Sequence, residues 1–239
     1  MNDATADAAA AGGERLSKRL AAQLGCSRRE AEQLVAQGAV SIDGQPATAP
    51  QQRVMAHQRV SVTPGASAAP PAPATLLLHK PAGIDCADPK LWSRLQRDAA
   101  DALHGRPAVP GLFIGQRCVA PLATHESGLV VFTQVPGVAR RLLDDAPLVE
   151  HEYTVEIDGE ADPALLPRLR PARASIGSRR EGRTGLRVVL HGPDPGQIEA
   201  LCRAAGLAVA TLKRLRIGRL PLAGLAAGQW RCLRGQERF

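Results

Sequence analysis

The stretch RLSKRLAAQLGCSRREAEQLVAQGAVSIDGQPA, residues 15–47, decides the fold of the N-terminal region. Leu16, Leu20 and Leu24 recur every four residues, a spacing that places apolar side chains on one face of a helix. Gly25 follows directly, and glycine favours the end of a helix because it adopts the left-handed conformation at little cost. The first part of the stretch therefore predicts an amphipathic helix that stops at a glycine.

A second helix is predicted immediately after it. Ser27 and Glu30 have the S-x-x-E spacing of a capping box, in which each side chain accepts a hydrogen bond from the other residue's backbone N–H. Gly38 favours the end of this helix. Three residues supply its apolar face: Ala31, Leu34 and Val35.

The segments that follow predict strands. Residues 40–42 (V-S-I) and 60–62 (V-S-V) alternate apolar and polar side chains, and the Asp43-Gly44 pair between them is a strong signal for a tight turn. Helix, helix, strand, turn and strand within fifty residues predict a small α+β module over residues 14–62.

Basic residues cluster on the two predicted helices. We expect Arg15, Lys18 and Arg19 on the first helix, and Arg28 and Arg29 in the first turn of the second. Cations at a helix N-terminus are slightly unfavourable for the helix itself, but they suit phosphate groups that bind the free N–H groups there. This placement favours RNA binding over the alternative, a charged face that serves solvation alone.

The same stretch resembles the S4 RNA-binding domain almost from end to end. The matching segments are RLSK (15–18), SRREA (27–31), GAV (38–40) and IDG (42–44). The resemblance implies a module that docks its two helices on structured RNA.

The rest of the chain divides by composition. Residues 1–13 are rich in Ala, Gly and Asp and predict a disordered tail, and TPGASAAPPAPAT (63–75) predicts a proline-rich linker. Residues 76–236 then form a second domain, for which we expect a mixed, largely antiparallel sheet with flanking helices, again α+β. The predicted strands are 75–79, 129–133, 152–157, 185–191 and 214–221, and the predicted helices are 138–143, 163–168 and 196–205.

The second domain resembles the RsuA/RluF-type family of ribosomal RNA pseudouridine synthases, whose members carry an S4 domain in front of the catalytic domain. Four segments carry this resemblance: LHKPAGI (78–84), ESGLVVFT (126–133), HEYTV (151–155), and LKRLRIG (212–218) together with GQWR (228–231). Residues 87–116 and 160–184 match poorly.

The resemblance implies a cofactor-free isomerisation of uridine to pseudouridine in a flipped nucleotide. That reaction needs a carboxylate beside the glycosidic carbon, a tyrosine that stacks on the base, and a cation that pairs with the carboxylate. The family's aspartate position aligns with Ala123, its tyrosine with Tyr153, and the arginine expected to pair with the aspartate with Glu199. We add Lys80 to the residues expected to contact RNA.

These substitutions predict a degenerate catalytic site, since a methyl group can neither attack carbon nor accept a proton. The aspartate and its arginine partner are expected to have been lost together, because a buried arginine without a partner costs several kcal/mol. Three carboxylates could substitute, namely Asp85, Glu126 and Glu199, but we expect each to be solvated. His125 shows no partner in the sequence.

Composition limits the function classes further. The net charge is +7, with 26 Arg and 4 Lys, which favours a polyanionic partner, although a GC-rich coding sequence also enriches arginine. No apolar run approaches a membrane span, and no signal peptide is apparent. Five cysteines without a C-x-x-C pair predict a reducing, cytoplasmic setting, buried thiols and no zinc site. We expect a monomer without metal or cofactor.

Three functions remain open at this point. The first is a non-catalytic protein that binds ribosomal RNA or ribosomal particles on a pseudouridine-synthase scaffold. The second is an active synthase that uses a non-standard carboxylate. The third is an S4-type factor that associates with ribosomes.

Overall fold

The computed structural model describes residues 13–105 and 107–239; residues 1–12, where almost all of the predicted tail falls, lie outside the described residues. The chain forms two units. The first extends to Pro73 and includes Pro107–Gly115, and the second contains Ala74 onward together with Gln116–Phe239. The first unit includes residues 63–73 because Ala66 and Ala68 in this segment pack against its apolar core.

The first unit has the predicted order of helices and strands. Arg53–Val54 (β4) pairs with β1, and Gln45–Pro46 (β3) and Val60–Val62 (β5) pair with β2, all antiparallel. The helices α1 and α2 contact each other beside these strands. In chain order the first four elements are β1 (Glu14–Arg15), α1 (Leu16–Leu24), α2 (Arg28–Ala36) and β2 (Val40–Ile42).

Local signals in this unit act as the sequence predicts. The capping box forms, with the Glu30 carboxylate accepting from the Ser27 backbone N–H at 2.8 Å. Asp43 and Gly44 both have positive φ, 51° and 82°, as a tight hairpin turn requires. Leu24 is an exception, since it is 43% exposed. Eight residues rotate a helix position by about 80°, so this last residue turns away from the core.

The second unit is built on one mixed sheet. Within the described residues ten strands form it, in the order β11-β12-β10-β13-β9-β6-β15-β7, with β14 on β13 and β8 on β9. The pairs β13–β9 and β15–β7 are parallel and the others are antiparallel, which confirms the predicted sheet type. The strands are β6 (Thr75–Lys80), β7 (Gln96–Arg97), β8 (Arg117–Cys118), β9 (Ser127–Thr133), β10 (Glu150–Asp158), β11 (Arg173–Arg180), β12 (Arg183–His191), β13 (Val209–Ile217), β14 (Leu220–Pro221) and β15 (Gln229–Cys232).

Three helices accompany the sheet: α3 (Ala99–His104), α4 (Pro136–Leu143) and α5 (Gln197–Ala204). The helix predicted at 163–168 is a 3-10 segment, Pro163–Leu169, because Pro167 inside it removes a backbone donor that an α-helix would use. None of the described helices is long and apolar enough to cross a membrane.

The centre of the sheet is covered on both faces. All six residues of β6 and six of the seven in β9 are buried, which explains their nearly continuous apolar sequences. The core beside them includes Leu77, Val131 and Ile217. This rigid centre positions the loop of residues 119–126, which leads from β8 into β9.

Candidate functional site

The candidate site lies where three neighbouring strands meet the loop of residues 119–126. Tyr153 on β10 is the direct cross-strand partner of Arg214 on β13, and Arg214 pairs in turn with Gly128 on β9. A register shift between Glu152 and Tyr153 sets this pairing. The sheet therefore brings together residues that are up to 86 positions apart in the chain.

Gly128 makes the close approach of β9 and β13 possible. Its φ is +117°, a conformation that side-chain-bearing residues rarely adopt. A Cβ at this position would stand 2.5 Å from the backbone nitrogen of Arg214. The absent side chain thus allows the parallel pairing that places Arg214 in the site.

Arg214 is the cation of this site, and it is almost completely buried, at 1% exposure. Its guanidinium donates to the backbone carbonyls of Leu129 (2.7 Å), Pro121 (3.3 Å) and Ala120. It also donates to the Tyr153 hydroxyl at 3.4 Å. The charge of Arg214 is therefore solvated by carbonyl dipoles, which fasten the start of the loop to β13.

Lys80 fastens the other end of the loop. The side chain is fully buried, and its Nζ donates to the carbonyls of Glu126 (2.6 Å), Thr124 (3.0 Å) and Pro81 (3.2 Å). Burial lowers the pKa of this ammonium group, while nearby Cys86 and Glu126 oppose the shift. The expectation that Lys80 contacts RNA is wrong for this structure, because all its donors face the protein interior.

The aspartate position is occupied by Ala123, and an acid three residues later turns back toward it. The Glu126 carboxylate accepts from the backbone N–H of Ala123 at 2.8 Å and from that of Gly196 at 3.1 Å. Glu126 is 1% exposed, so the expectation that it is solvated is wrong. The two backbone N–H groups make its burial possible, and one of them precedes α5, seventy residues away.

Tyr153 lies under this loop with 2% of its surface exposed. Burial raises the pKa of its hydroxyl, and the negative charge of Glu126 raises it further, while Arg214 lowers it. The effect of Glu126 places a carboxylate charge close to the tyrosine. The ring is nevertheless enclosed and offers little surface on which a base could stack.

Glu199, the residue at the expected arginine position, lies in the first turn of α5 and is separate from the Arg214–Tyr153 pair in its contacts. Its carboxylate contacts His125 Nε2 at 2.6 Å and Arg203 at 2.8 Å. The structure therefore gives His125 a partner that the sequence did not reveal. The expectation of a jointly lost cation fails here, because Arg214 supplies a buried guanidinium beside Tyr153.

Asp85 lies on the exposed turn that follows β6. This turn is joined to the loop by a hydrogen bond from the Gly83 N–H to the Thr124 carbonyl at 2.7 Å. The Asp85 carboxylate accepts from the backbone N–H of Ala87 at 2.9 Å, and it contributes to the electrostatics of Lys80. It is solvated, as expected.

The basic residues of the first unit differ in their roles. Arg15, Arg28 and Arg29 have exposed side chains. Lys18, 62% exposed, forms an ion pair with Glu14 at 3.0 Å. Arg19 donates to the carbonyls of Met55 and Gln58, both at 2.9 Å, so part of its role is to hold the first unit together.

Comparisons with known proteins agree with this arrangement. The S4 domain family matches residues 14–60. The ribosomal large subunit pseudouridine synthase B of Salmonella typhi is 31% identical over 249 residues, covering 91% of this chain and 78% of that protein. The chain belongs to the RsuA/RluF-type pseudouridine synthase family. The proteins of the same name from Pseudomonas aeruginosa and Haemophilus influenzae are each 30% identical, and the chain spans 62% and 64% of their lengths.

A solved structure supports the fold of this family member. A crystal structure of pseudouridylate synthase superposes with a TM-score of 0.53 and 18% identity, covering 92% of this chain and 96% of that chain. At this identity the likeness shows the fold alone. The fold explains how the site residues are brought together, and the side chains described above decide what the site can do.

The residue that sequence reasoning missed is Arg214. It stands in LKRLRIG (212–218), a segment already matched to the family, and its near-continuous apolar flanks on a strand were a usable signal of burial. Among the residues that the structure describes, no group of three or more His, Cys, Asp or Glu side chains is placed to hold a metal ion.

Proposed function

We propose that this protein binds ribosomal RNA as a non-catalytic, cytoplasmic member of the pseudouridine synthase family. The observation that carries the proposal is the methyl group of Ala123 in a loop that is otherwise fully braced. Lys80 and Arg214 hold the backbone of this loop through carbonyl oxygens, and this bracing does not depend on a side chain at position 123. The scaffold is retained while the reacting oxygen is absent from its position.

The remaining acids near the site do not replace that oxygen. The Glu126 carboxylate is enclosed, and two backbone N–H groups occupy it. Glu199 is engaged by His125 and Arg203. A nucleophile or general base has to reach the reacting atom within hydrogen-bonding distance, and neither carboxylate is available for that.

RNA binding is assigned to the first unit. Its S4 match, together with the exposed Arg15, Arg28 and Arg29 around the N-termini of α1 and α2, provides cations and free N–H groups for phosphates. The relatives in the comparison are named for the ribosomal large subunit, which makes large-subunit RNA the first ligand to test.

The decisive experiment is an isomerisation assay on unmodified large-subunit RNA, with nucleosides analysed by mass spectrometry. We expect RNA binding by the wild-type protein without pseudouridine formation. Ala123→Asp is the complementary variant, and Ala123→Asn is its matched control, because the two side chains have the same shape and only the aspartate is an acid. Formation of pseudouridine by the wild-type protein contradicts the proposal.

An active synthase is the second candidate, and the location of Glu126 favours it. The carboxylate is close enough to raise the pKa of Tyr153, and its oxygen bonds the backbone of residue 123 itself. If the loop opened, this acid would approach a bound uridine. Glu126→Gln should then abolish conversion, and Asp85→Asn tests the exposed acid of the neighbouring turn.

An S4-type factor acting on ribosomes is separated from both candidates by sedimentation. A ribosome-associated factor should follow the large subunit or whole ribosomes in a sucrose gradient. A protein that binds RNA during assembly should follow precursor particles instead.

A further inference from the structure

Two cysteines meet beside the candidate site, although they are 32 positions apart in the chain. Cys86 lies on the turn after β6, and Cys118 ends β8. The Cys118 thiol donates a hydrogen bond to the Cys86 sulfur. Both residues are half-buried, so the expectation that all five cysteines are buried structural thiols is wrong for this pair.

The backbone around the pair keeps the two sulfurs together. The Leu122 N–H donates to the Cys86 sulfur, and the Ala120 N–H donates to the Cys118 sulfur. The turn that carries Cys86 is tied to the loop by the Gly83–Thr124 hydrogen bond. The contact between the two thiols therefore belongs to the same braced loop that carries Ala123.

The electrostatic setting favours a thiolate at Cys86. Lys80 and Arg214 bring two positive charges to the site, and the buried Glu126 carboxylate supplies one negative charge. The hydrogen bond from Cys118 and the charges of Lys80 and Arg214 lower the pKa of Cys86 to about 6, while the same hydrogen bond raises the pKa of Cys118. One sulfur is thus a nucleophile and its neighbour a protonated thiol.

We propose that Cys86 and Cys118 are a redox-active dithiol that reduces a hydroperoxide and closes to a reversible disulfide. The pairing of an accessible thiolate with an adjacent second cysteine is the arrangement that this chemistry requires. It is independent of the proposed function, because it needs neither RNA nor isomerisation.

The reaction balances in two steps. The Cys86 thiolate attacks one peroxide oxygen, so that an S–O bond forms, the O–O bond breaks, and the leaving oxygen takes a proton to become water or an alcohol. The Cys118 sulfur then attacks the sulfenic sulfur. An S–S bond forms, the S–O bond breaks, and the departing hydroxide takes the Cys118 proton as water. Both thiols are oxidised and one hydroperoxide is reduced.

The other cysteines provide internal controls. Cys202 is fully buried, and burial raises its pKa to about 11, while Cys232 is also buried. Cys26 lies in the first unit and packs partly against its core. Burial or distance from the site therefore separates these three cysteines from the Cys86–Cys118 pair.

The test treats the reduced full-length protein with stoichiometric hydrogen peroxide, blocks the remaining thiols by alkylation, and maps peptides by mass spectrometry. We expect a mass loss of about 2 Da, a peptide that links Cys86 to Cys118, and recovery of both thiols on reduction. Cys26→Ser should behave like the wild type. Cys118→Ser should stop at a sulfenic acid on Cys86, which a 1,3-dione traps.

A second measurement follows the alkylation rate of Cys86 with pH, which remains informative if a variant folds poorly. The rate should reach half its maximum near the pKa of about 6. Half-maximal alkylation at about pH 8.5, the value of an ordinary cysteine, overturns the proposal. So does a folded wild-type protein in which Cys86 is oxidised without a link to Cys118.

Discussion

The cations of the two units have opposite environments. In the first unit Arg28 and Arg29 are exposed at the start of a helix, whereas in the second Lys80 and Arg214 are buried and donate to backbone carbonyls. Cations of the first kind are free to meet phosphates, and those of the second kind hold a loop in place. Net charge alone therefore says little about which basic residues bind a ligand.

The largest effect is expected from Gly128→Ala, which attacks the buried arrangement at its origin. The new Cβ would collide with the backbone of Arg214 at a φ of +117°, so β9 and β13 would have to separate. We expect a loss of about 4 kcal/mol in unfolding free energy or failure to fold, measured by urea denaturation.

Gly137→Ala is the matched control for this change. Gly137 lies within α4, and nothing stands within 4 Å of the Cβ that it would acquire. Alanine is the better helix former, so stability should rise by about 0.5–1 kcal/mol. Equal effects of the two substitutions would mean that Gly128 does not set the approach of the strands.

The next effect is expected from Lys80→Met, which keeps the length of the side chain and removes its charge. Three carbonyl oxygens that now accept from Nζ would lose their donor. Unsatisfied buried acceptors make this a loss of about 3 kcal/mol in urea denaturation. The control is Lys90→Met, at an exposed lysine, where the change should stay below about 0.5 kcal/mol.

A third prediction concerns pH, because the buried cations act on a neighbouring histidine. His151 is 5% exposed, and burial, followed by the charge of Arg214, lowers its pKa from 6.5 to about 3. Between these values the unfolded chain binds a proton that the folded protein does not, so stability falls as the pH falls. Between about pH 6.5 and pH 5 the loss should be about 2 kcal/mol.

His151→Leu should flatten this part of the stability profile, whereas His57→Gln, at an exposed histidine, should leave it unchanged. Measuring above pH 5 separates the effect from the carboxylates of Glu150 and Glu152. Their pKa values are lowered by hydrogen bonds from Arg216 and Arg187, and they lose their contribution at lower pH. An unchanged slope in His151→Leu would show that the histidine is protonated while buried.

The two units also differ in how far the sequence could predict them. The first unit is organised by short-range signals, such as the Ser27–Glu30 box and the Asp43-Gly44 turn, which act within four residues. In the second unit the predicted central strands are present, but β11 was missed. Its outward-facing residues show no buried alternation, so period-2 patterning could not reveal it.

The candidate site was harder to predict, because its bonds join distant segments. Tyr153 was identified from the family resemblance, yet its partner Arg214 was sought at position 199, since only strand register reveals which residues lie opposite each other. Glu126 looked like a solvated loop residue because one of its two N–H donors, that of Gly196, is seventy positions away. Whether Ala123 marks an inactive site stays a prediction for the isomerisation assay.

The smallest effect on stability, and the sharpest test of the comparison, is expected from the double change Arg28→Gln and Arg29→Gln. Both side chains are exposed, so the unfolding free energy should change by less than about 0.5 kcal/mol. Affinity for large-subunit RNA should fall, and the logarithm of the binding constant should depend less steeply on the logarithm of salt concentration. For single-stranded RNA the slope should flatten by about 0.7 for each phosphate that the variant no longer neutralises.

Arg203→Gln is the control for this change. Arg203 is 75% exposed but lies on α5 of the second unit, where it pairs with Glu199. If RNA meets only the exposed cations of the first unit, this substitution should leave the salt slope unchanged. A slope that flattens equally in both variants would mean that RNA senses the overall positive charge, and the distinction between ligand-facing and loop-holding cations would then have to rest on the stability measurements alone.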